Sequence, residues 1–282
     1  LDVPLYAQAA GGFLAGLVAV RMFVLYHDYQ HGAILRKSRL ARALMSVYGI
    51  LTLNPPSPWN RSHNYHHLNN SKMYGASIGS YPIMTREAYA RASRWQRFQY
   101  AAARHPLTIF MGYLTIFLYG MTLRPFLQNP KHHLDCLLAL GLHGALIVTL
   151  AWFDPEGLLF SFWLPLFTAS VFGAYLFYAQ HNFPDVKLKS RSEWALPDAA
   201  LRSSSYMELS PFMHWLTGNI GYHQVHHLNP RIPSYRLPEA LAAIEELQGA
   251  GRTSLGVRDI FRCLRLKVWD GKQDRMVPFS GQ

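Results

Sequence analysis

Four long apolar runs limit what this chain can become. They cover residues 5–26, 107–123, 134–153 and 157–179. An α-helix rises about 1.5 Å per residue, so runs of about 20 to 23 residues cover the roughly 30 Å hydrocarbon core of a bilayer. The reading is an all-α, multi-pass membrane protein. The first run is interrupted only by Arg21, close enough to an end for its side chain to reach the headgroups. A fifth run, 40–53, stops after 14 residues at Asn54-Pro55-Pro56; it is too short to span and reads as a helix lying in the interface.

Composition agrees once its averaging is undone. Only 15% of the 282 residues are charged, against about 25% in soluble domains. The mean hydropathy of zero hides the concentration of apolar residues in the runs. Lys and Arg outnumber Asp and Glu by 27 to 16, a net +11 that suits an anionic membrane surface or an acidic partner; nothing beyond net charge points to nucleic acid. Two cysteines are too few for a disulfide framework.

Charge also orients the chain. Arg36, Lys37, Arg39 and Arg42 follow the first run. Arg86, Arg91, Arg94, Arg97 and Arg104 mark an amphipathic segment, 85–104, interleaved with Tyr89, Trp95 and Phe98. Thr85 is its expected N-cap, and anionic headgroups are its expected neighbours. The turn Asp154-Pro155-Glu156-Gly157 carries two acids and no base, which assigns it to the extracytoplasmic side. Leu1 is not an initiator methionine, and no cleavable signal precedes the first run, so the sequence reads as lacking a natural beginning. Residues 1–237 are expected to form one membrane catalytic domain. Residues 238–282 are expected to form a short cytoplasmic tail, with a helix over 238–248, a basic amphipathic stretch over 259–279 and a turn at Asp270-Gly271, and not a separate domain.

Fourteen histidines, one residue in twenty, are the compositional anomaly, and eight fall in three five-residue windows: HDYQH (27–31), HNYHH (63–67) and HQVHH (223–227). Spacings of three and four put side chains on one helical face. Two independent HxxHH strings arise by chance in on the order of one such chain in a thousand. Each window lies just beyond an apolar or interfacial segment and beside basic residues, so all three are expected on the cytoplasmic face. Clustered imidazolium cations would repel, whereas neutral imidazoles are good ligands for iron, zinc, copper and nickel. One tetrahedral ion takes four ligands, so eight or nine nitrogens imply two metal ions.

These windows resemble the three histidine boxes of the integral-membrane fatty acid desaturase superfamily, over about residues 20 to 238. The resemblance is closest to acyl-lipid omega-6 or delta-12 desaturases, through Tyr178-Ala179-Gln180-His181-Asn182-Phe183, Asn219-Ile220-Gly221-Tyr222-His223 and Arg231–Pro238. The first box differs, carrying Tyr29-Gln30 where small residues are usual. The resemblance implies two non-haem iron ions, with O2 and two electrons used to place a cis double bond in an acyl chain. It implies the ligands His27, His31, His63, His66, His67, His223, His226 and His227, with His181 as a ninth. Asp28 is expected to orient a ligand imidazole, and Asn219 to cap a helix or hold a water near the metals. The substrate is an acyl lipid or acyl thioester. The chain carries no flavin or phosphate-binding fingerprint, so electrons are expected from a separate acidic carrier, a ferredoxin or cytochrome b5, docking near Arg94 and Arg97.

If His67 and His181 share one site, an even number of crossings separates them. Three apolar runs intervene, and 107–123, the shortest, is expected to be interfacial or re-entrant. His143 is expected to be packed or hydrogen-bonded between helices, and His105 and His214 to be surface or interfacial. Two alternatives stay open: a lipid or carotenoid hydroxylase or ketolase of the same fold, and, in another class, a histidine-rich metal transporter. Transporters place polar ligands at mid-membrane, which disfavours the second.

Overall fold

The computed structural model describes residues 3–72, 81–190 and 192–279. Among these, three helices are long and apolar enough to cross a membrane: α1 (Leu5–Gln30), Leu134–Phe153 and Pro155–Ala179. The chain divides into two compact units, Leu1–Arg61 with Ile109–Ala174, and Ser62–Thr108 with Tyr175–Gln282.

In the first unit, α1 is followed by α2 (Arg39–Leu51), whose N-cap Ser38 accepts from the Ala41 N–H. This is the short fifth run, and it forms a 13-residue helix. α3 begins at Pro56 and runs to Asn69. The run 107–123 is not one α-helix: Pro106–Phe110 is α-helical, Tyr113–Leu123 is wound as a π-helix, and Arg124–Gln128 returns to α. The run is thus divided between α and π winding and holds no continuous α-helix of spanning length. Two further helices follow, α6 (Leu134–Phe153) and α7 (Pro155–Ala179), the second π-wound over Leu158–Trp163. Between them Asp154 accepts from the Gly157 N–H and caps the start of α7.

Aromatic contacts and buried polar bonds hold this unit together. Tyr26, Trp59 and Met45 form one core cluster, with Phe23 and Tyr48 packed on it. The Tyr26 hydroxyl donates to the Asn54 carbonyl at 2.8 Å, and Tyr48 donates to the Ala19 carbonyl at 2.8 Å. His143, in the apolar middle of α6, is buried and hydrogen-bonded to the Tyr113 hydroxyl. A polar group at that depth needs such a partner, and the expectation of a structural histidine holds.

In the second unit the segment 85–104 is two helices. α4 (Arg86–Arg91) is capped by Thr85, as expected, and α5 (Arg94–Ala103) starts anew with a reciprocal capping box between Ser93 and Gln96. The break follows from Ser93, whose side chain satisfies the backbone better at a helix start than inside one. After α7 come α8 (Leu196–Ser203), strand β1 (Tyr206–Glu208), α9 (Pro211–Leu216), α10 (His223–Leu228) and α11 (Leu237–Ala243). Strand β2 (Arg252–Ser254) pairs in parallel with β1, and α12 (Val257–Arg265) leads to an antiparallel hairpin of β3 (Val268–Asp270) and β4 (Arg275–Val277). Among the described residues the fold is thus mainly helical with four short strands, and the expected basic amphipathic tail is partly a hairpin. Val268 and Val277 are buried against Tyr100, and the Tyr100 hydroxyl donates to the Lys267 carbonyl. The last 45 residues therefore pack into the same unit as two of the histidine windows.

Candidate metal centre

His63, His66 and His67 lie on α3, and His223, His226 and His227 on α10. His181 sits two residues past the end of α7. All seven belong to the second unit. The i, i+4 spacing brings His223 Nε2 to 3.1 Å from His227 Nε2, and His63 Nε2 to 3.1 Å from His67 Nε2. Tertiary packing then joins α3, α10 and the turn after α7.

Four of these imidazoles form a closed set. His66 Nε2 lies 3.0 Å from His181 Nε2 and 3.2 Å from His227 Nε2. His181 Nε2 is also 2.9 Å from His223 Nε2 and 3.2 Å from His227 Nε2. A second set adjoins it: His67 Nε2 is 3.1 Å from both His63 Nε2 and His226 Nε2, and the His67 ring stacks on His227 at 4.4 Å between centroids. His66, His226, His227 and His223 are at most 2% exposed.

Hydrogen bonding does not account for the four-nitrogen set. His181 Nδ1 is 3.0 Å from the Ser203 carbonyl. A carbonyl only accepts, so Nδ1 carries the proton and Nε2 of the neutral ring carries a lone pair. That lone pair faces three other Nε2 atoms. A neutral imidazole has one N–H, and four rings cannot fill the short contacts with donors. Nitrogens held about 2.0–2.1 Å from a first-row ion stand roughly 2.9 Å apart when cis and roughly 3.4 Å apart at the tetrahedral angle. The observed 2.9–3.2 Å lies in that interval. The donor set fits a metal ion.

Electrostatics keep the rings in the ligating form. Burial lowers the His227 imidazole well below its usual value of 6.5, and the surrounding His67, His223, His181 and His66 lower it further. His181 keeps an accessible edge, yet desolvation holds it down at about 4, against a smaller upward pull from the Ser203 carbonyl. Neutral imidazole is what a metal needs.

Supporting residues are less visible in sequence. Phe177, one turn before His181, lies 5.1 Å from the His66 ring and 5.8 Å from His181 between centroids. Asn182, next to His181, accepts from the fully buried Arg104 and donates to the Cys263 carbonyl at 2.7 Å. The turn bearing His181 is thereby tied to the end of α12. The sequence signal for Phe177 was an aromatic at i−4 from a histidine, whereas Arg104, read from sequence as one of the basic residues of a headgroup-facing segment, is instead fully buried.

In the first unit, His27 lies in the last turn of α1 and His31 is its C-cap residue, with ring centroids 4.7 Å apart. Trp59 packs against both, at 5.6 and 6.1 Å. Asp28 is buried, with Oδ1 3.7 Å from His27 Nδ1. Asn219, in the second unit, adopts a left-handed backbone, φ 59°, and its side-chain amide donates to the Ser234 carbonyl at 3.1 Å. Its visible work is to fold the turn that leads into α10. His105 is exposed. His214, expected at a surface, is instead buried against Tyr206 and Tyr222. Its place on a helix whose neighbours Phe212 and Trp215 are exposed concealed this.

Buried imidazoles converge nitrogen to nitrogen as a donor set that could hold a metal ion, in a chain whose described residues include three apolar helices long enough to cross a membrane. The sequence matches the fatty acid desaturase family over residues 4–257. It is 30% identical over 284 residues to a fatty acid desaturase of Bacillus subtilis (strain 168), covering 99% of this chain and 79% of that protein. It is 24% identical to a chloroplastic omega-6 fatty acid desaturase of Spinacia oleracea and 22% identical to an sn-1 oleoyl-lipid 12-desaturase of Anabaena variabilis. Each match covers 87% of this chain, and respectively 55% and 71% of those proteins. The chain belongs to the fatty acid desaturase family, and is thereby an oxidoreductase of lipid metabolism; it spans about half the length of the spinach relative.

Proposed function

We propose that the chain is a membrane-bound acyl-lipid desaturase that introduces a cis double bond into an acyl chain. The balanced reaction converts –CH2–CH2– with O2, two electrons and two protons to –CH=CH– and two waters. The observation that carries this reading is the convergence of the Nε2 atoms of His66, His181, His223 and His227. One iron ion is assigned to that set. The second is assigned to His63, His67 and His226; His27 and His31 are proposed as further metal ligands on the strength of the histidine-box resemblance alone. Bound iron supplies the oxidising power towards O2 and an unactivated C–H bond.

The chain's own residues hold, orient and shield. The Ser203 carbonyl fixes the His181 tautomer, so its Nε2 lone pair points at the other three nitrogens. Phe177 packs its apolar ring against the His66 and His181 rings and helps keep bulk water from them. Asp28 stands beside His27 as its orienting carboxylate. The substrate is an acyl chain of a lipid or thioester. The electron donor is a separate acidic carrier of the ferredoxin or cytochrome b5 kind, and the basic loops assign the active site to the cytoplasmic side.

Expression in a host that makes no unsaturated lipids, followed by mass spectrometry of total fatty acids, tests the reading. A new double bond is expected. A new C–O bond, or no change with iron bound, overturns it.

A further inference from the structure

The backbone that anchors His181 is bonded to a neighbouring extended segment. The Ser203 carbonyl that anchors His181 belongs to a residue whose hydroxyl donates to the Lys187 carbonyl at 2.5 Å. The Lys187 N–H in turn donates to the Arg202 carbonyl at 2.9 Å. On the other edge the Lys189 N–H donates to the Ser71 carbonyl at 3.1 Å, and Lys189 pairs with Lys72 in an isolated bridge. An extended stretch bearing Lys187 and Lys189 is thus laid between the end of α3 and the end of α8. It is bonded directly to Arg202 and Ser203, the backbone that holds His181.

An aromatic side chain stands at the edge of this stretch. The Trp194 indole N–H donates to the Asn70 carbonyl at 2.8 Å, and the Lys72 ammonium sits 3.9 Å from the indole centroid. The Asn70 amide donates to the Ser204 hydroxyl at 3.0 Å, and Ser204 is bonded to Ser203. Covalent bonds and three hydrogen bonds therefore connect Trp194 to His181 Nδ1 without a gap. A cavity of about 50 Å³, lined by Asn70, Lys72, Arg104, Asn182, His181 and Ser203 among others, runs beside this route. Its lining contains cations and no carboxylate.

We propose that Lys72, Lys189 and Trp194 form the docking face for a small acidic electron-carrier protein, with electrons entering through Asn70 and Ser203–Ser204 to His181. The inference rests on the desaturase reading and assigns its donor a place. Each encounter passes one electron inward and oxidises the carrier by one, so two encounters serve each turnover. Charge selects this face. Lys187 is paired with Asp274 and Arg202 with Asp198, whereas Lys72 and Lys189 have no carboxylate partner among the described ion pairs. Their field steers an acidic protein. The rival face on α5 is committed elsewhere: Trp95 and Phe98, 64% and 62% exposed and stacked at 5.5 Å, flank Arg94 and Arg97 in the manner of a helix at headgroup level. The proposal thus puts docking away from Arg94 and Arg97, where the sequence reading put it.

The test uses the detergent-purified full chain and a plant-type [2Fe–2S] ferredoxin as probe. Affinity is titrated at graded ionic strength, and zero-length carbodiimide cross-links are mapped by mass spectrometry. Binding is expected to weaken with salt, to fall at least about tenfold in K72E/K189E, to fall about threefold in Lys189→Glu alone, and to stay unchanged in R94Q/R97Q. Cross-links are expected at Lys72 or Lys189. Wild-type affinity in both lysine variants, cross-links confined to α5, or lysine variants that lose only anionic-vesicle binding would each overturn the assignment. Dithionite separates the two readings. If it drives product formation equally in wild type and variants, the loss lies in docking; if it drives none in iron-loaded wild type, the desaturase reading fails while the affinity data still judge the face.

Discussion

The carboxylate of Asp135 receives both the backbone N–H and the hydroxyl of Ser57, at 2.8 and 2.6 Å. Ser57 is the second residue of α3, so the carboxylate sits where the helix exposes unpaired N–H groups and its positive dipole end. With the hydroxyl proton directed to Asp135, the 2.7 Å contact between Ser57 Oγ and His133 Nδ1 is an N–H donation from the imidazole. Asp135 thus fixes the start of the helix that carries His63, His66 and His67. Asp135→Ala is expected to cost about 1–3 kcal/mol and to lower metal retention, with Asp135→Asn about half as severe because one acceptor remains. Thermal midpoints and iron analysis of the purified variants check this.

Removing one nitrogen from the four-histidine set acts on one of two proposed ions. His223→Ala is expected to reduce bound iron from about two to about one per chain and to abolish double-bond formation. A variant that keeps full iron and full product would exclude His223 as a ligand.

The lowered pKa values set an acid limit. His181 titrates at about 4 in the folded chain, against 6.5 for an unperturbed imidazole, and His227 lies well below 6.5. Between those values the unfolded chain binds protons that the folded chain does not, so stability is full above pH 6.5 and is lost as pH falls towards 4. The metal-free protein should show a falling thermal midpoint across that window. Iron should stay bound at pH 6, where exposed histidine sites already release it.

The bond between Tyr113 and His143 predicts non-additivity. Tyr113→Phe leaves a buried imidazole nitrogen without its partner and is expected to cost about 1–3 kcal/mol. His143→Leu in the same background restores part of that loss. A double-mutant cycle in denaturant reads the coupling; purely additive costs would show the bond to be worth nothing.

Helix contact at Gly12 leaves no room for a methyl group. A Cβ built there lies 2.2 Å from the Phe160 carbonyl oxygen, which is backbone and cannot step aside. Gly12→Ala is expected to cost about 1–3 kcal/mol. Gly11→Ala, with nothing within 4 Å of its Cβ, should be neutral or slightly stabilising, and the pair of thermal midpoints gives the comparison.

Reading the sequence recovered what depends on near neighbours. The Thr85 cap, the short helix at 39–51, the turn after Asp270 and the structural role of His143 follow from residues a few positions apart, or from one polar group in an apolar run. It missed the helix break at Ser93, where a second cap was taken for helix interior. It missed the hairpin at Val268–Val277, because three-residue strands carry too little alternation to be told from a basic tail. It missed the burial of His214 and the Asp135–Ser57 cap, since each needs a partner contributed by another element.

Apolar length and the three- and four-residue spacing of imidazoles are local properties, and from them the sequence alone determined apolar helices of spanning length and imidazoles paired on one helical face. Which nitrogens meet is not local. His66 and His227 are 161 positions apart, and His181 and His223 are 42 apart. Their Nε2 atoms face one another only because α3, α10 and the turn after α7 pack together, with Ser203 deciding which nitrogen of His181 carries the proton. That choice of tautomer and partner rests on contacts between distant segments, and only the folded chain makes it.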